Sequence, residues 1–140
     1  ISQLQEYFLI NTIVTVLAAK FFLPYVKRNI DSLFITISAK VGSISDNSLG
    51  GWYGYRASKA ALNQFTKTAA IELGRTHPEA VCVALHPGTV ETRLSAPYVA
   101  SKYKREKPNV TARHLLAVIS NLNSNDTGKL FDWRGERIPW

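Results

Sequence analysis

The chain is 140 residues long, 46% hydrophobic and 19% charged, the balance of a globular domain with one buried core, which excludes an intrinsically disordered segment. Its formal net charge of +7 is scattered, and the one dense cluster, Lys102-Tyr-Lys-Arg-Glu-Lys107, lacks the aromatic and basic interleaving of a strand-binding surface, so no nucleic-acid partner is expected. A single cysteine, Cys82, can form neither an internal disulfide nor a thiolate pair for a metal, which fits a reducing, cytoplasmic setting.

Ser2 to about Val26 carries Leu4, Phe8, Val14, Leu17, Phe21 and Phe22 at a roughly helical repeat, ended by Pro24 and a basic turn at Lys27 and Arg28. Its longest apolar stretch, Ile13 to Val26, is interrupted by Lys20 and Pro24 and falls short of the ~20 residues of a membrane span, so no membrane crossing is expected. Asn11 stands inside this run, and a polar residue among apolar ones needs partners. Leu33-Phe-Ile-Thr-Ile-Ser-Ala-Lys-Val-Gly42 is an apolar, β-branched run closing in small residues, a buried strand that opens into a loop. Trp52 to about Arg75 reads as the second long helix, stopped by His77-Pro78.

At the start of that helix Tyr55 and Lys59 lie four residues apart, hence on one face. A phenol with an ordinary pKa near ~10 is a poor acid or base at neutral pH, but an adjacent cation stabilises the phenolate and lowers that value. Tyr55 is thereby equipped to exchange a proton with a carbonyl or an alcohol.

Ala80-Val-Cys-Val-Ala-Leu-His-Pro-Gly-Thr-Val-Glu-Thr92 is a second buried strand running into a Pro-Gly turn, with Cys82 as a core thiol among Val81, Val83 and Leu85. Thr111 to about Leu122 reads as a third helix with Thr111 as its cap, and Gly128 to Asp132 as a short final strand. Strands separated by helices pair in parallel through right-handed crossovers, which gives an α/β fold, half of a doubly wound sheet. Three strands alone leave the first without one neighbour, so the chain by itself is expected to be unstable or adhesive at that edge. His77, His86 and His114 have no carboxylate or cysteine at metal-ligand spacing, and no metal site is expected.

Gly50-Gly-Trp-Tyr-Gly-Tyr-Arg-Ala-Ser-Lys-Ala-Ala-Leu-Asn63 after one strand, His86-Pro-Gly-Thr-Val-Glu-Thr92 after the next, and the closing Phe131-Asp-Trp-Arg-Gly-Glu-Arg-Ile-Pro-Trp140 jointly resemble the short-chain dehydrogenase/reductase family, and within it the C-factor and sniffer-type carbonyl reductases. The resemblance spans essentially the whole chain and corresponds to the C-terminal part of a single Rossmann-type domain. The family's Gly-rich turn for the dinucleotide pyrophosphate has no counterpart here, since neither Gly-x-x-x-Gly-x-Gly nor Gly-x-Gly-x-x-Gly occurs, and nor does an Asn-Asn-Ala-Gly segment. With Ile1 where an initiator would stand and no Met anywhere, the chain is read as the C-terminal part of a longer protein.

The resemblance implies an NAD(P)-dependent oxidoreductase, with NADP(H) favoured over NAD(H) by the subgroup, acting on a small carbonyl or secondary alcohol. Tyr55 would be the general acid or base. Lys59 would depress its pKa and hold the nicotinamide ribose, and Asn11 matches the family's helix-borne asparagine that supports a water linked to the active-site lysine. The position that usually carries the carbonyl-polarising serine is Ala39. Ser38 would face the other side of the strand, whereas Ser43, past the turn at Gly42, could bend back toward Tyr55 and is taken as the substitute. Pro87, Gly88, Val90 and Thr92 would carry the nicotinamide amide, and Ala96 to Pro108, with Pro97, Tyr98, Val99 and Tyr103, would close over the substrate. The two long helices imply a homodimer or homotetramer. A non-catalytic dinucleotide-binding or C-factor-like signalling protein is the alternative, for which Ala39 is the best argument, and an inactive folding fragment is a third.

Overall fold

Strand Val81–His86 is apolar on both faces because both are covered, and the rest of the fold is arranged around it. The structure, a computed structural model, describes residues 1–28, 32–96 and 105–140. In chain order the elements are α1 (Ser2–Phe8), a π-turn (Leu9–Ile13), α2 (Val14–Phe22), a 3-10 turn (Leu23–Tyr25), β1 (Leu33–Ile37), a second 3-10 turn (Lys40–Gly42), α3 (Tyr53–Gly74), β2 (Val81–His86), α4 (Pro108–Ile119), a third 3-10 turn (Ser124–Asp126), β3 (Leu130–Asp132) and β4 (Arg137–Ile138). The sheet runs β1-β2-β3-β4. The first two pairings are parallel, in register from Leu33↔Val81 to Ile37↔Leu85 and from Ala84↔Leu130 to His86↔Asp132.

Alternation along the strands divides the core between the two faces. On one face Cys82 and Phe34 pack with Ala69, Ala70 and Leu73 of α3 and with Leu23 and Val26. On the other, Val81, Val83, Leu85 and Phe131 meet Leu115, Val118 and Ile119 of α4. The result is the expected α/β architecture with helices on both faces. Helix α3 presents the small or polar side chains Ser58, Asn63, Thr66, Ala69 and Ala70 inward, so it seats close to the sheet. The buried hydroxyls of Thr36 and Thr66 bond each other at 3.0 Å, and the Cys82 thiol, which burial pushes up to about 12, lies 3.7 Å from the Thr66 carbonyl.

Several boundaries differ from the expectations. The first long helix is interrupted by a π-turn centred on Asn11. Helix α4 begins at Pro108, with Lys107 as its cap in the extended conformation that a following proline imposes. Thr111 is therefore not the cap but a buried residue inside the helix. A fourth strand, β4, folds back antiparallel on β3 across the Trp133–Glu136 turn, held by Leu130↔Ile138 and Phe131↔Arg137. Ser2–Tyr25 forms a 24-residue helical run long and apolar enough to cross a membrane, longer than the interrupted stretch weighed from the sequence. In the fold it lies along α3, with Thr12 Oγ1 donating to the Ser58 carbonyl at 2.8 Å and Ala19 buried. Among the described residues β1 is an edge strand, with Leu33 45% and Ile37 51% exposed.

Candidate active site

Helix α3 starts from an unusual approach. Gly50, Gly51 and Trp52 have φ of 64°, 71° and 49°, three successive left-handed residues, and a left-handed tryptophan is strained. Arg56, one residue after Tyr55, holds this approach: Nε donates to the Gly51 carbonyl at 3.0 Å, Nη2 to Gly50 at 2.9 Å and Nη1 to Val41 at 3.1 Å. Its guanidinium also lies over the Trp52 ring, 5.6 Å from the centroid.

Tyr55 stands half-buried in the first turn of α3, its ring edge-on to that of Tyr7 at 6.2 Å. One turn on, Lys59 is 8% exposed, and its Nζ donates to the Ile37 carbonyl at the end of β1 at 3.0 Å. Burial pushes the Lys59 ammonium below its ordinary value. Gly42 lets the loop after β1 cross directly over this lysine, because a Cβ there would meet the Lys59 backbone carbon and Cβ at 2.8 Å. Asn11 Nδ2 donates to Ser58 Oγ at 3.1 Å, and Ser58 Oγ donates to the Tyr55 carbonyl at 2.9 Å. The π-turn of α1–α2 and the first turn of α3 are thereby joined through Ser58. Sequence reasoning passed over this residue, although a small hydroxyl between the tyrosine and the lysine was a visible signal.

Ala39 is buried and has no hydroxyl to offer. Ser38 Oγ donates to Asn63 Oδ1 at 2.5 Å, away from the loop. Ser43, 2% exposed, donates its one proton to the Pro139 carbonyl at 2.5 Å and accepts the Asp46 N–H at 3.1 Å. Both neighbouring serines thus spend their hydroxyl protons inside the fold.

The turn after β2 carries Pro87, Gly88, Val90 and Thr92, half-buried up to Val90 and exposed at Thr92. Gly88 has φ of 77°, and a Cβ there would meet the Trp133 ring at 2.9 Å. Bonds from Glu91 N to the Glu106 carbonyl and from Glu106 N to the Thr89 carbonyl, both 2.9 Å, leave the Val90 N–H out of that bridge. Ser95, a second residue the sequence reading missed, donates to the Val90 carbonyl at 2.6 Å and accepts the Thr92 N–H at 3.1 Å. The expected closing residues Pro97, Tyr98, Val99 and Tyr103 lie outside the described residues. Immediately before the turn, burial pushes the His86 imidazole down to about 4 against the opposing charge of Asp132, and its Nδ1 has no partner among the described residues. Two open grooves, about 310 Å³ between α2 and α3 and about 510 Å³ between α4 and the β3–β4 hairpin, are lined by other residues.

Residues 1–102 match the short chain dehydrogenase family. Over 134 residues the chain is 33% identical to C-signal of Myxococcus xanthus, covering 95% of this chain and 76% of that protein. The carbonyl reductase Sniffer of D. melanogaster superposes with a TM-score of 0.85 at 27% identity, over 99% of this chain and 58% of that one. An NADPH-bound carbonyl reductase from chicken fatty liver superposes at 0.82 with 31% identity, over 100% and 58%. The chain therefore spans little more than half the length of either solved reductase. Its fold corresponds to the C-terminal part of theirs, and the chain belongs to the short-chain dehydrogenase family.

Proposed function

We propose that the protein carrying this chain is a nicotinamide-dependent oxidoreductase that interconverts a small carbonyl compound and its secondary alcohol. The observation that carries this reading is the convergence of the candidate residues at the carboxyl ends of two adjacent parallel strands, where open α/β sheets bind ligands. Lys59 reaches the end of β1, Tyr55 lies one helical turn before it, and the Pro87–Thr92 turn leaves the end of β2. Family membership points the same way.

Tyr55 is the general acid in reduction and the general base in oxidation. Lys59, a largely buried cation on the same helix face, favours the phenolate and holds the ribose hydroxyls. Asn11 steadies the first turn of α3 through Ser58 and supports a water leading to Lys59. The residues of the turn fit a nicotinamide amide: the Val90 N–H is outside the Glu106 bridge, Thr92 is exposed, and Gly88 keeps the backbone bare. When bound, the cofactor supplies or accepts the hydride. NADP(H) is favoured because a relative of 31% identity is an NADPH-bound carbonyl reductase. We read the chain as the C-terminal part of one Rossmann-type domain, with the Gly-rich turn on a preceding segment that covers the free edge of β1. The apolar surface of α2, including Val14, Leu17 and Phe21, supports a homodimer or homotetramer, and the unpaired, buried Cys82 is at home in a reducing cytoplasm.

One observation favours a second reading. Ala39 and the engaged hydroxyls of Ser38 and Ser43 leave the substrate carbonyl without the usual serine donor, as suits a dinucleotide-binding signalling protein similar to C-signal. Titration of the full protein with NADPH, followed by nicotinamide fluorescence, and then assay with a panel of aldehydes and ketones separates the two. Binding with turnover is the expected result. Binding without turnover favours the second reading, and no binding contradicts both.

A further inference from the structure

We propose that residues 130–140 form a frame that sets the distance between the two walls of the candidate site, and that Ser43 is a positioning residue of this frame. The idea rests on the oxidoreductase reading for its effect on activity, but its structural part stands independently.

One wall is the loop leading into α3. Ser43 Oγ donates to the Pro139 carbonyl at 2.5 Å, the Asp46 N–H returns to Ser43 Oγ at 3.1 Å, and the Ser45 N–H donates to the Trp140 carbonyl at 3.1 Å. The first and the last of these bonds clamp residues 43–45 onto 139–140, across a sequence separation of 96 residues for the first, and the second closes the loop on itself. Lys40 and Asp46, 3.3 Å apart, close the same loop from the solvent side. Trp140 is itself anchored, packed against Ala84, Leu130 and Ile138 at the centre of the sheet.

The other wall is the turn after β2. Here the Trp133 ring occupies the space beside Gly88, where a Cβ would lie 2.9 Å from its Cδ1 and 3.1 Å from its Nε1. Two side chains pack on Trp133: the His114 ring stacks on it at 5.1 Å, and the Arg134 guanidinium lies 5.5 Å from its centroid. Asp132 fixes the hairpin by accepting the N–H groups of Arg134 at 2.8 Å and Glu136 at 3.0 Å, and by pairing with the Arg134 guanidinium at 2.8 Å. A single short hairpin and its extension therefore touch the loop that follows β1 and the turn that follows β2. A shift of this frame moves one wall relative to the other.

The test uses the full protein with Ser43→Ala, which removes the clamp, Trp140→Ala, which removes its anchor, and Ser43→Thr, which restores a hydroxyl. Amide hydrogen exchange of residues 43–46 is expected to rise about tenfold in the two alanine variants while α3 is unchanged, with Ser43→Thr near wild type. With NADPH and a reducible aldehyde, KM is expected to rise by about fivefold with kcat within about twofold, the signature of lost positioning. Unchanged exchange in Ser43→Ala overturns the frame. So does a kcat loss of about a hundredfold with exchange unchanged, which would make Ser43 a substrate contact. If one alanine variant fails to fold, the exchange of the other decides. If the wild-type protein reduces no carbonyl, the oxidoreductase reading fails and the exchange data alone judge the frame.

Discussion

A phenol becomes a useful acid only in a suitable neighbourhood, and around Tyr55 the proposed function rests on Lys59 one turn away and on Ser58, which ties the Tyr55 carbonyl to Asn11. Replacing Lys59 by Met is expected to weaken NADPH binding and turnover together, each by about tenfold or more, read from a fluorescence titration and steady-state rates on the same sample. A loss confined to turnover would remove the ribose role. His86 gives a prediction in pH. Its imidazole is depressed from 6.5 to about 4 by burial, so the folded state resists protonation that the unfolded chain accepts. Stability is complete above the unfolded value and is lost as pH falls from 6.5 toward about 4, by roughly 3 kcal/mol across that window. Urea midpoints at several pH values, compared with those of His86→Phe, check this: the variant should flatten the acid limb, and an unaltered limb would remove His86 from the account. At this scale the sequence revealed what is local. Tyr55 and Lys59 share a helix face by spacing alone. The partner of Ser43 lies on the far side of the chain, and no local pattern announces it.

Elements position these residues by close approach. Gly42 passes over α3 so closely that there is no room for a methyl group: a Cβ there would lie 2.8 Å from the Lys59 Cβ. Gly42→Ala is expected to cost about 1–3 kcal/mol in urea unfolding and to displace Lys59 from the Ile37 carbonyl. A neutral result would mean that the crossing yields freely. The long helix α3 was legible because its buried stripe recurs every three or four residues, from Ser58 to Leu73. The π-turn at Asn11 was not, because a widened turn leaves the surrounding apolar repeat almost unchanged. Thr111 looked like a cap because threonine is a good one, yet Pro108 had already set the helical φ three residues earlier. Strand β4 spans only Arg137–Ile138, too short for alternation to register.

For the molecule as a whole, the order of strands and helices was readable because parallel pairing follows from the β-α alternation, while the closing hairpin had to be seen. The surface leaves two apolar features uncovered among the described residues: the edge of β1 and the outer side of α2, where Phe21 and Phe22 are 63% and 65% exposed. Residues 1–140 expressed by themselves are therefore expected to self-associate, seen as concentration-dependent light scattering, and a monodisperse monomer would contradict that reading of the surface. The proposed activity turns on proton transfer at Tyr55. The most direct test is Tyr55→Phe in the full protein, with NADPH affinity and carbonyl reduction measured side by side. The expected result is affinity within about twofold of wild type and turnover lower by at least about a hundredfold. Turnover equal to wild type would contradict the assignment of Tyr55 as the acid and base of this protein.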